Sequence, residues 1–302
     1  MRVSSSQTAE MLLNCLQKSY SSYADVAEQM ATGYSINSPS DDPVGYSKLQ
    51  TLTSQQNSIS QYQDNIETAE SMLSNSETEF DSMADVLSEL RSLAVSANNG
   101  SYTTSDLSDI SEQMSTLMET LMSFCNATDS DGTYMFSGSQ SNTQTVIIDS
   151  NGDYVYQGDD YQIEVTVADG VTVAASDTIG DIFFDSSSST SGNFFNDMSD
   201  LISSLSTSSD PSSVIESMED IIDSTSDNLT SAISSIGSRT NELDALNDAH
   251  SETLLYSQNL SSEIGDADYS TTAVKAEEIM TNIEATQSVI SKVLSLSLFD
   301  EL

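Results

Sequence analysis

The sequence predicts a mainly α protein in which a long antiparallel coiled-coil helical rod, formed by the N- and C-terminal parts, carries a small antiparallel β domain inserted in the middle. Apolar residues recur at alternating steps of three and four over very long stretches in both halves of the chain. Between about residues 134 and 185 the spacing changes to two, which is typical of strands. The helical segments on either side of that insertion mirror each other in order and length.

The first predicted helix has a narrow apolar seam and ends before Gly33, a residue that favours a helix C-terminus. Asp42 then offers an N-cap, and Pro43 suits the first helical position of a second helix because its missing N–H costs nothing there. The seam of the first helix consists of Leu12, Leu16, Tyr23, Val26 and Met30.

The second predicted helix is very long, because no glycine or proline interrupts residues 46–99. Asn98, Asn99 and Gly100 are typical of its end, so at 1.5 Å per residue its length is roughly 80 Å. A third helix, expected to pack back on the second, has its apolar stripe at Ile110, Met114, Leu117, Leu121 and Phe124.

Two hairpins are predicted in the insertion. TVIID and DYVYQ flank the turn residues 150–152, and a second alternating pair flanks residues 168–170. The polar run 185–193 leads back to helix.

The C-terminal half repeats the pattern of the N-terminal half. Asp210 and Pro211 start another very long helix, and a break at Gly265, Asp266 and Asp268 precedes a last helix. Its predicted face includes Met280 and Gln287, together with the seam residues Ile283, Ile290 and Leu294.

These elements divide the chain into five parts. Residues 1–40 form an N-terminal assembly helix, expected to be disordered in the monomer and to pair with the C-terminal assembly helix 265–302. Residues 41–133 and 194–264 form the two parts of the helical rod, and residues 134–193 form the β domain.

Composition excludes several function classes. The 302 residues include 48 Asp and Glu against 7 Lys and Arg, a formal charge of −41, which argues against binding to nucleic acid or to an anionic lipid surface. No stretch is apolar enough to predict membrane insertion, and the N-terminus has no secretory signal pattern. With Cys15, Cys125 and His250 far apart, we expect no zinc site and no disulfide framework.

No catalytic, cofactor or metal residue is predicted. His250 has no nucleophile motif to work with, so a structural role is favoured. The stretch 149–153 alternates oxygen ligands, but its glycine stands at the fourth position and not at the sixth position of a calcium loop, so a hairpin turn is favoured. We expect no enzyme, since phosphate-loop and nucleophile-elbow motifs are missing.

Three segments of the sequence match the motifs of one protein family. They are QMATGYSINSPSDDPVGYSKL at 29–49, LSELRSLAVSANNGSYTTSDL at 87–107 and SEIGDADYSTTAVK at 262–275. The chain therefore resembles the flagellin and hook-associated protein family. Its turn motifs fall on Pro39, Ser40, Asp41, Asp42, Pro43, Gly265, Asp266 and Asp268. Within the family, MRVSSSQ at the start and DGTYMFSGSQSNT at 131–143 are similar to the members found at the hook–filament junction.

The resemblance implies a secreted, extracellular structural adaptor of the bacterial flagellum, exported by the flagellar type III apparatus. It would form a ring of its own copies between the first hook-associated protein and flagellin, and an export chaperone would hold its C-terminal segment. The seam residues would then pack between subunits, whereas an intramolecular core is the alternative. Arg91 is a candidate subunit contact; pairing with Glu89 or with an acidic residue of a facing helix is the other interpretation.

Two other functions stay open at this point. A minor flagellin would polymerise alone into filaments, and a secreted coiled-coil adhesin would bind a host ligand through its β domain. The paired terminal motifs favour the junction adaptor over the adhesin.

Overall fold

The computed structural model describes residues 2–98, 102–184, 192–205, 207–208 and 210–299, with the backbone alone in residues 2–6 and 294–299. In this part of the chain, seven helices and two antiparallel two-stranded sheets are formed, which confirms a mainly α protein with a small β insertion. Their order is α1 (Arg2–Thr32), α2 (Pro43–Ala97), α3 (Thr104–Cys125), β1 (Val146–Ile148), β2 (Tyr154–Tyr156), β3 (Glu164–Ala168), β4 (Val171–Ala174), α4 (Gly180–Phe183), α5 (Phe194–Leu205), α6 (Pro211–Gly265) and α7 (Tyr269–Phe299).

Helix starts lie where the capping residues predict them. α2 begins at Pro43, and the Asp42 carboxylate accepts a hydrogen bond of 3.0 Å from the Val44 N–H, as an N-cap does. α6 begins at Pro211, and α2 and α6 each contain 55 residues. Of the predicted end signal of α2, Asn98 donates to the Ala94 carbonyl, while Asn99 and Gly100 lie outside the described residues.

The two hairpins are confirmed. In β1–β2 the Asp149 carboxylate accepts hydrogen bonds from the N–H groups of Asn151 and Asp153, and Gly152 has a φ of +94°, which a side chain would disfavour. The stretch is therefore a hairpin turn and not a calcium loop. β3 pairs with β4 with an irregularity between Thr166 and Ala168, and residues 185–191 of the predicted polar loop lie outside the described part.

α5 lies where the sequence predicted only that the polar run 185–193 leads back to helix, with no bounds for a separate element. Its buried side chains pack against α3 and the hairpins, and Phe195 stacks on Tyr154 at a ring distance of 5.2 Å. These buried residues are Phe194, Phe195, Met198, Ile202 and Leu205.

The chain divides into two compact units: a terminal unit of residues 1–58 and 252–302, and a central unit of residues 59–251. The central unit holds a continuous apolar core in which Phe80 stacks on Phe136 at 5.0 Å. There, α2 runs antiparallel to α6, as shown by hydrogen bonds from Gln63 to Asn247 and from Arg91 to Asp223. In the terminal unit, Gln56 of α2 donates to the Ser257 hydroxyl of α6.

Over the described residues, none of the helices combines the length and the apolar character that crossing a membrane requires.

Candidate functional site: the terminal unit

The two terminal helices pair with each other in antiparallel orientation. The Tyr269 hydroxyl donates to the Met30 carbonyl at 3.1 Å, and Gln287 Nε2 donates to the Tyr20 hydroxyl at 2.8 Å. Because residue numbers rise along α7 as they fall along α1, these two bonds show the direction of the pair.

The seam between α1 and α7 is narrow. Val26 and Ile283 are buried, with 4% and 6% of their surfaces exposed. The other predicted seam residues, Leu12, Leu16, Tyr23, Met30 and Ile290, are half-buried, and the side chain of Leu294 lies outside the described part.

The predicted face of α7 is wrong at two positions. Met280 is 49% exposed and Gln287 is exposed, whereas their neighbours Ile279 and Thr286 are half-buried. The face that α7 buries follows steps of four and three: Thr272, Ala276, Ile279, Ile283, Thr286 and Ile290.

Many large apolar side chains of the terminal unit are exposed. Those of α1, α6 and α7 are Met11, Leu13, Tyr20, Leu255, Tyr256, Tyr269, Val274, Met280 and Val289.

The two turn motifs, far apart in the sequence, lie side by side. The Ser35 N–H donates to the Gly265 carbonyl at 2.6 Å, and the Ala267 N–H donates to the Gly33 carbonyl at 2.9 Å. The Ser35 hydroxyl adds a bond of 3.1 Å to the Gly265 carbonyl. The turn that ends α1 is thus held by main-chain hydrogen bonds to the turn that precedes α7.

Aspartates shape both turns. Asp41 accepts from the N–H groups of Asn37 and Ser38 at 3.0 and 2.8 Å, and these bonds lower the pKa of its carboxyl. Asp268 accepts from Thr271 Oγ1 and from the Ser270 N–H at the start of α7, and its pKa is lowered too. Pro39, Ser40 and Pro43 of the same motif are exposed.

The segment 131–143 is a tight loop in the central unit. Gly138 has a φ of +66°, and a Cβ there would collide with the Asp159 carboxylate and carbonyl. Asp159 accepts hydrogen bonds from the N–H and the hydroxyl of Ser139, which lower its pKa. The Tyr156 hydroxyl lies 3.2 Å from the Phe136 carbonyl and 3.0 Å from that of Asp159. The aromatic and glycine residues of this segment therefore hold the hairpins against the helices through close contacts and hydrogen bonds.

Long parts of this chain match known proteins. Residues 3–141 match the family model for the bacterial flagellin N-terminal helical region. A solved structure from Vibrio parahaemolyticus, described as a flagellar hook-associated protein, is 32% identical, with a TM-score of 0.70, and the alignment covers 75% of this chain and 100% of that one. The chain belongs to the flagellin and hook-associated protein family.

Two further relatives in this family cover long parts of the chain. Flagellar hook-associated protein 3 of Escherichia coli (strain K12) is 24% identical, and the alignment covers 99% of this chain and 99% of that protein. The structure of a flagellar junction protein from Legionella pneumophila is 19% identical with a TM-score of 0.58, over 72% of this chain and 99% of that one, which supports the same fold.

Arg91 pairs with a facing helix. Its Nε and Nη2 donate to Asp223 of α6 at 2.6 and 3.1 Å, and both side chains are about half exposed. Of the two predicted partners, Glu89 and an acidic residue of a facing helix, the second is the one observed.

A second arginine pair was missed by the sequence analysis. Arg239 Nη2 donates to both carboxylate oxygens of Asp177 at 2.6 and 2.7 Å, and Nη1 donates to the Ala174 carbonyl at 2.8 Å. This arginine fixes the end of β4 to α6. The only signal in the sequence was the isolation of a cation in a strongly acidic segment.

The histidine and the two cysteines are the other chemically reactive side chains considered as site residues. His250 Nε2 lies 2.7 Å from the Val167 carbonyl, which only accepts, so this nitrogen carries the hydrogen, and the ring stacks on Tyr62 at 5.7 Å. Cys125 is fully buried, and burial raises its pKa, whereas Cys15 is exposed. Over the described residues, no three His, Cys, Asp or Glu side chains converge as metal ligands.

Proposed function

We propose that this protein is a structural adaptor of the bacterial flagellum that joins the hook-associated ring to the flagellin filament. The observation that carries the proposal is the match to hook-associated protein 3, which extends over 99% of both chains. The flagellin family model, by comparison, matches residues 3–141. The relatives are structural flagellar proteins, so the function proposed here is assembly and not catalysis.

Copies of the chain assemble through their terminal helices in this proposal. The two assembly helices are residues 1–40 and 265–302. The β domain is residues 134–193. The helical parts that connect it to the assembly helices are residues 41–133 and 194–264. The support is the narrow seam of α1 and α7, which leaves Met280, Val274 and Val289 exposed. Apolar area of this kind gains about 25 cal/mol per Å² when a second chain covers it.

The proposed partners are copies of the same chain in a ring, the first hook-associated protein on the hook side, and flagellin on the filament side. The chain reaches that position by export through the flagellar type III apparatus, and a chaperone holds the C-terminal segment before export. The mature protein is then extracellular. The support for this route is membership of the family.

A clean deletion in the source organism tests the role. We expect hooks without filaments in electron micrographs and monomeric flagellin in the medium, because flagellin would be made and exported but would have no junction on which to polymerise. Filaments that persist would instead indicate a minor flagellin or an adhesin, and loss of the main filament protein would identify the principal flagellin.

Complementation of that deletion tests the assembly surface. Met280→Ser and Val274→Ser remove exposed apolar groups of α7 and should reduce filament number while leaving the helical circular dichroism of the purified chain unchanged. Glu277→Gln, on the same helix and also exposed, is the matched control and should restore filaments fully. If the two serine variants restored filaments as well as the control, the exposed apolar residues of α7 would have no part in assembly.

A further inference from the structure

Negative charge is unevenly divided between the two units. Residues 59–251 hold 34 acidic against 2 basic side chains, a net charge of −32, whereas residues 1–58 and 252–302 hold 14 against 5, a net charge of −9. The central unit thus has about twice the charge per residue of the terminal unit.

Both basic residues of the central unit are already used. Arg91 is paired with Asp223 and Arg239 with Asp177. Each pair neutralises one carboxylate, so 32 acidic side chains of that unit are left without a Lys or Arg from their own unit. Folding brings these charges together, and their mutual repulsion opposes the compact state.

Glu70 of α2 is a residue on which a like charge of α6 acts directly. One carboxylate oxygen of Glu70, Oε1, is buried without a hydrogen-bond partner. Asp244 of α6 and Glu67 of the preceding turn of α2 act on it, and burial together with these two charges raises the pKa of Glu70. Neither arginine of the unit offsets these charges by an ion pair with Glu70, because Arg91 is paired with Asp223 and Arg239 with Asp177.

The distance between the helices makes this repulsion sensitive to salt. Packed helices lie about 8–10 Å apart, which is about one Debye length at 0.1 M salt, whereas at 1 M the Debye length is about 3 Å. Charges on α2 and α6 therefore repel each other in dilute buffer and are screened in concentrated salt. The unfolded chain spreads the same charges over a larger volume and gains less from screening.

We propose that the stability of the central unit is set by ionic strength, and that the Glu70–Asp244 contact between α2 and α6 is the point where this dependence is greatest. This inference does not depend on the flagellar role. It rests on the charge division, on the use of both arginines inside the unit and on the unpartnered oxygen of Glu70.

Thermal unfolding of the full chain in a NaCl series tests the first part. Near-ultraviolet circular dichroism follows the aromatic contacts of the central unit, among them Tyr154 with Phe195. We expect Tm to rise by roughly 5–10 °C between 0.02 and 0.5 M NaCl and then to level off, as screening does. A Tm that is constant below 0.5 M overturns the proposal. So does a rise that continues linearly to 2 M, since exclusion of salt from the protein surface, and not screening, has that form.

Two variants that remove the same charge test the second part. Glu70→Gln removes the contact with Asp244, and Glu89→Gln removes an exposed carboxylate of the same helix. Glu70→Gln should raise Tm in 0.02 M NaCl more than Glu89→Gln does, and the difference should vanish in 1 M NaCl. Equal effects of the two variants, or a Tm of Glu70→Gln that falls below that of the unmodified chain, would show that Glu70 is not the weak point.

Discussion

Loss of the Arg239–Asp177 ion pair should destabilise the central unit strongly. Only 13% and 9% of the two side chains are exposed, and both carboxylate oxygens of Asp177 accept from one guanidinium nitrogen at 2.6 and 2.7 Å. Arg239→Ala leaves this carboxylate buried with no cation and also leaves the Ala174 carbonyl without its donor. Breaking a buried pair from one side costs about 3–5 kcal/mol, and we expect a cost in that range.

The pH dependence of the same variant has a defined sign. Burial raises the pKa of Asp177 and Arg239 opposes that rise, so in Arg239→Ala the folded pKa moves further above its unfolded value of about 3.9. A carboxyl of this kind binds more protons folded than unfolded, and stability falls as pH rises from the unfolded to the folded pKa. The deficit of Arg239→Ala should therefore be smaller at pH 5 than at pH 8.

Urea unfolding of the full chain measures the cost, and the protein carries its own control. Arg91 also makes two hydrogen bonds to one carboxylate, that of Asp223, but both partners are about half exposed, so solvent screens the pair. Arg91→Ala should shift the urea midpoint several-fold less than Arg239→Ala. Similar shifts for the two variants would refute the argument that burial sets the energy of these pairs.

Three further predictions concern a loop, a turn and the cysteines. Gly138→Ala should lower stability by about 1–3 kcal/mol, measured by urea unfolding, because alanine at positive φ is strained and its Cβ meets a neighbouring aspartate. Asp149→Ala should lower Tm at pH 7 but hardly at pH 2. Hydrogen bonds from backbone N–H groups lower the pKa of Asp149. A carboxyl of this kind stabilises the fold above its unfolded pKa of about 3.9, and it loses that effect as pH falls through its folded pKa. An uncharged thiol reagent should label Cys15 within minutes and Cys125 only after unfolding, as peptide mass spectrometry would show; equal labelling rates would contradict the burial of Cys125.

Local signals explain why much of the fold was predictable. Pro43 and Pro211 each follow an aspartate and begin helices of 55 residues, because capping depends on neighbours in the sequence alone. The turn at Asp149 and Gly152 is equally local, since one carboxylate accepts the N–H groups of the turn and glycine supplies the positive φ. Predictions of this kind need no knowledge of the tertiary structure.

The buried face of α7 depends on features that a hydrophobic pattern does not contain. Met280 was predicted inside and is exposed, while Thr272 and Thr286 face the seam instead. Each threonine hydroxyl donates to the carbonyl four residues back, at 2.7 Å, to Asp268 and Asn282 respectively. A threonine that satisfies its hydroxyl in this way presents a methyl group to the neighbouring helix. Counting it as polar therefore moves the predicted face to the wrong side.

The candidate site also depends on a contact that no local pattern predicts. Main-chain bonds join Ser35 to Gly265 and Ala267 to Gly33, over more than 200 residues of sequence. The sequence indicated each turn separately, through Gly33 and Gly265, but not the contact between them. Fixing both turns brings the end of α1 next to the start of α7, so the two helices meet along a seam even though few of its side chains are fully buried. Since a seam this narrow contributes little burial, many large apolar side chains of these helices are left exposed. In the assembly proposed above, a second chain covers them, so the feature that limits the stability of α1 and α7 alone is the one on which the proposed assembly depends.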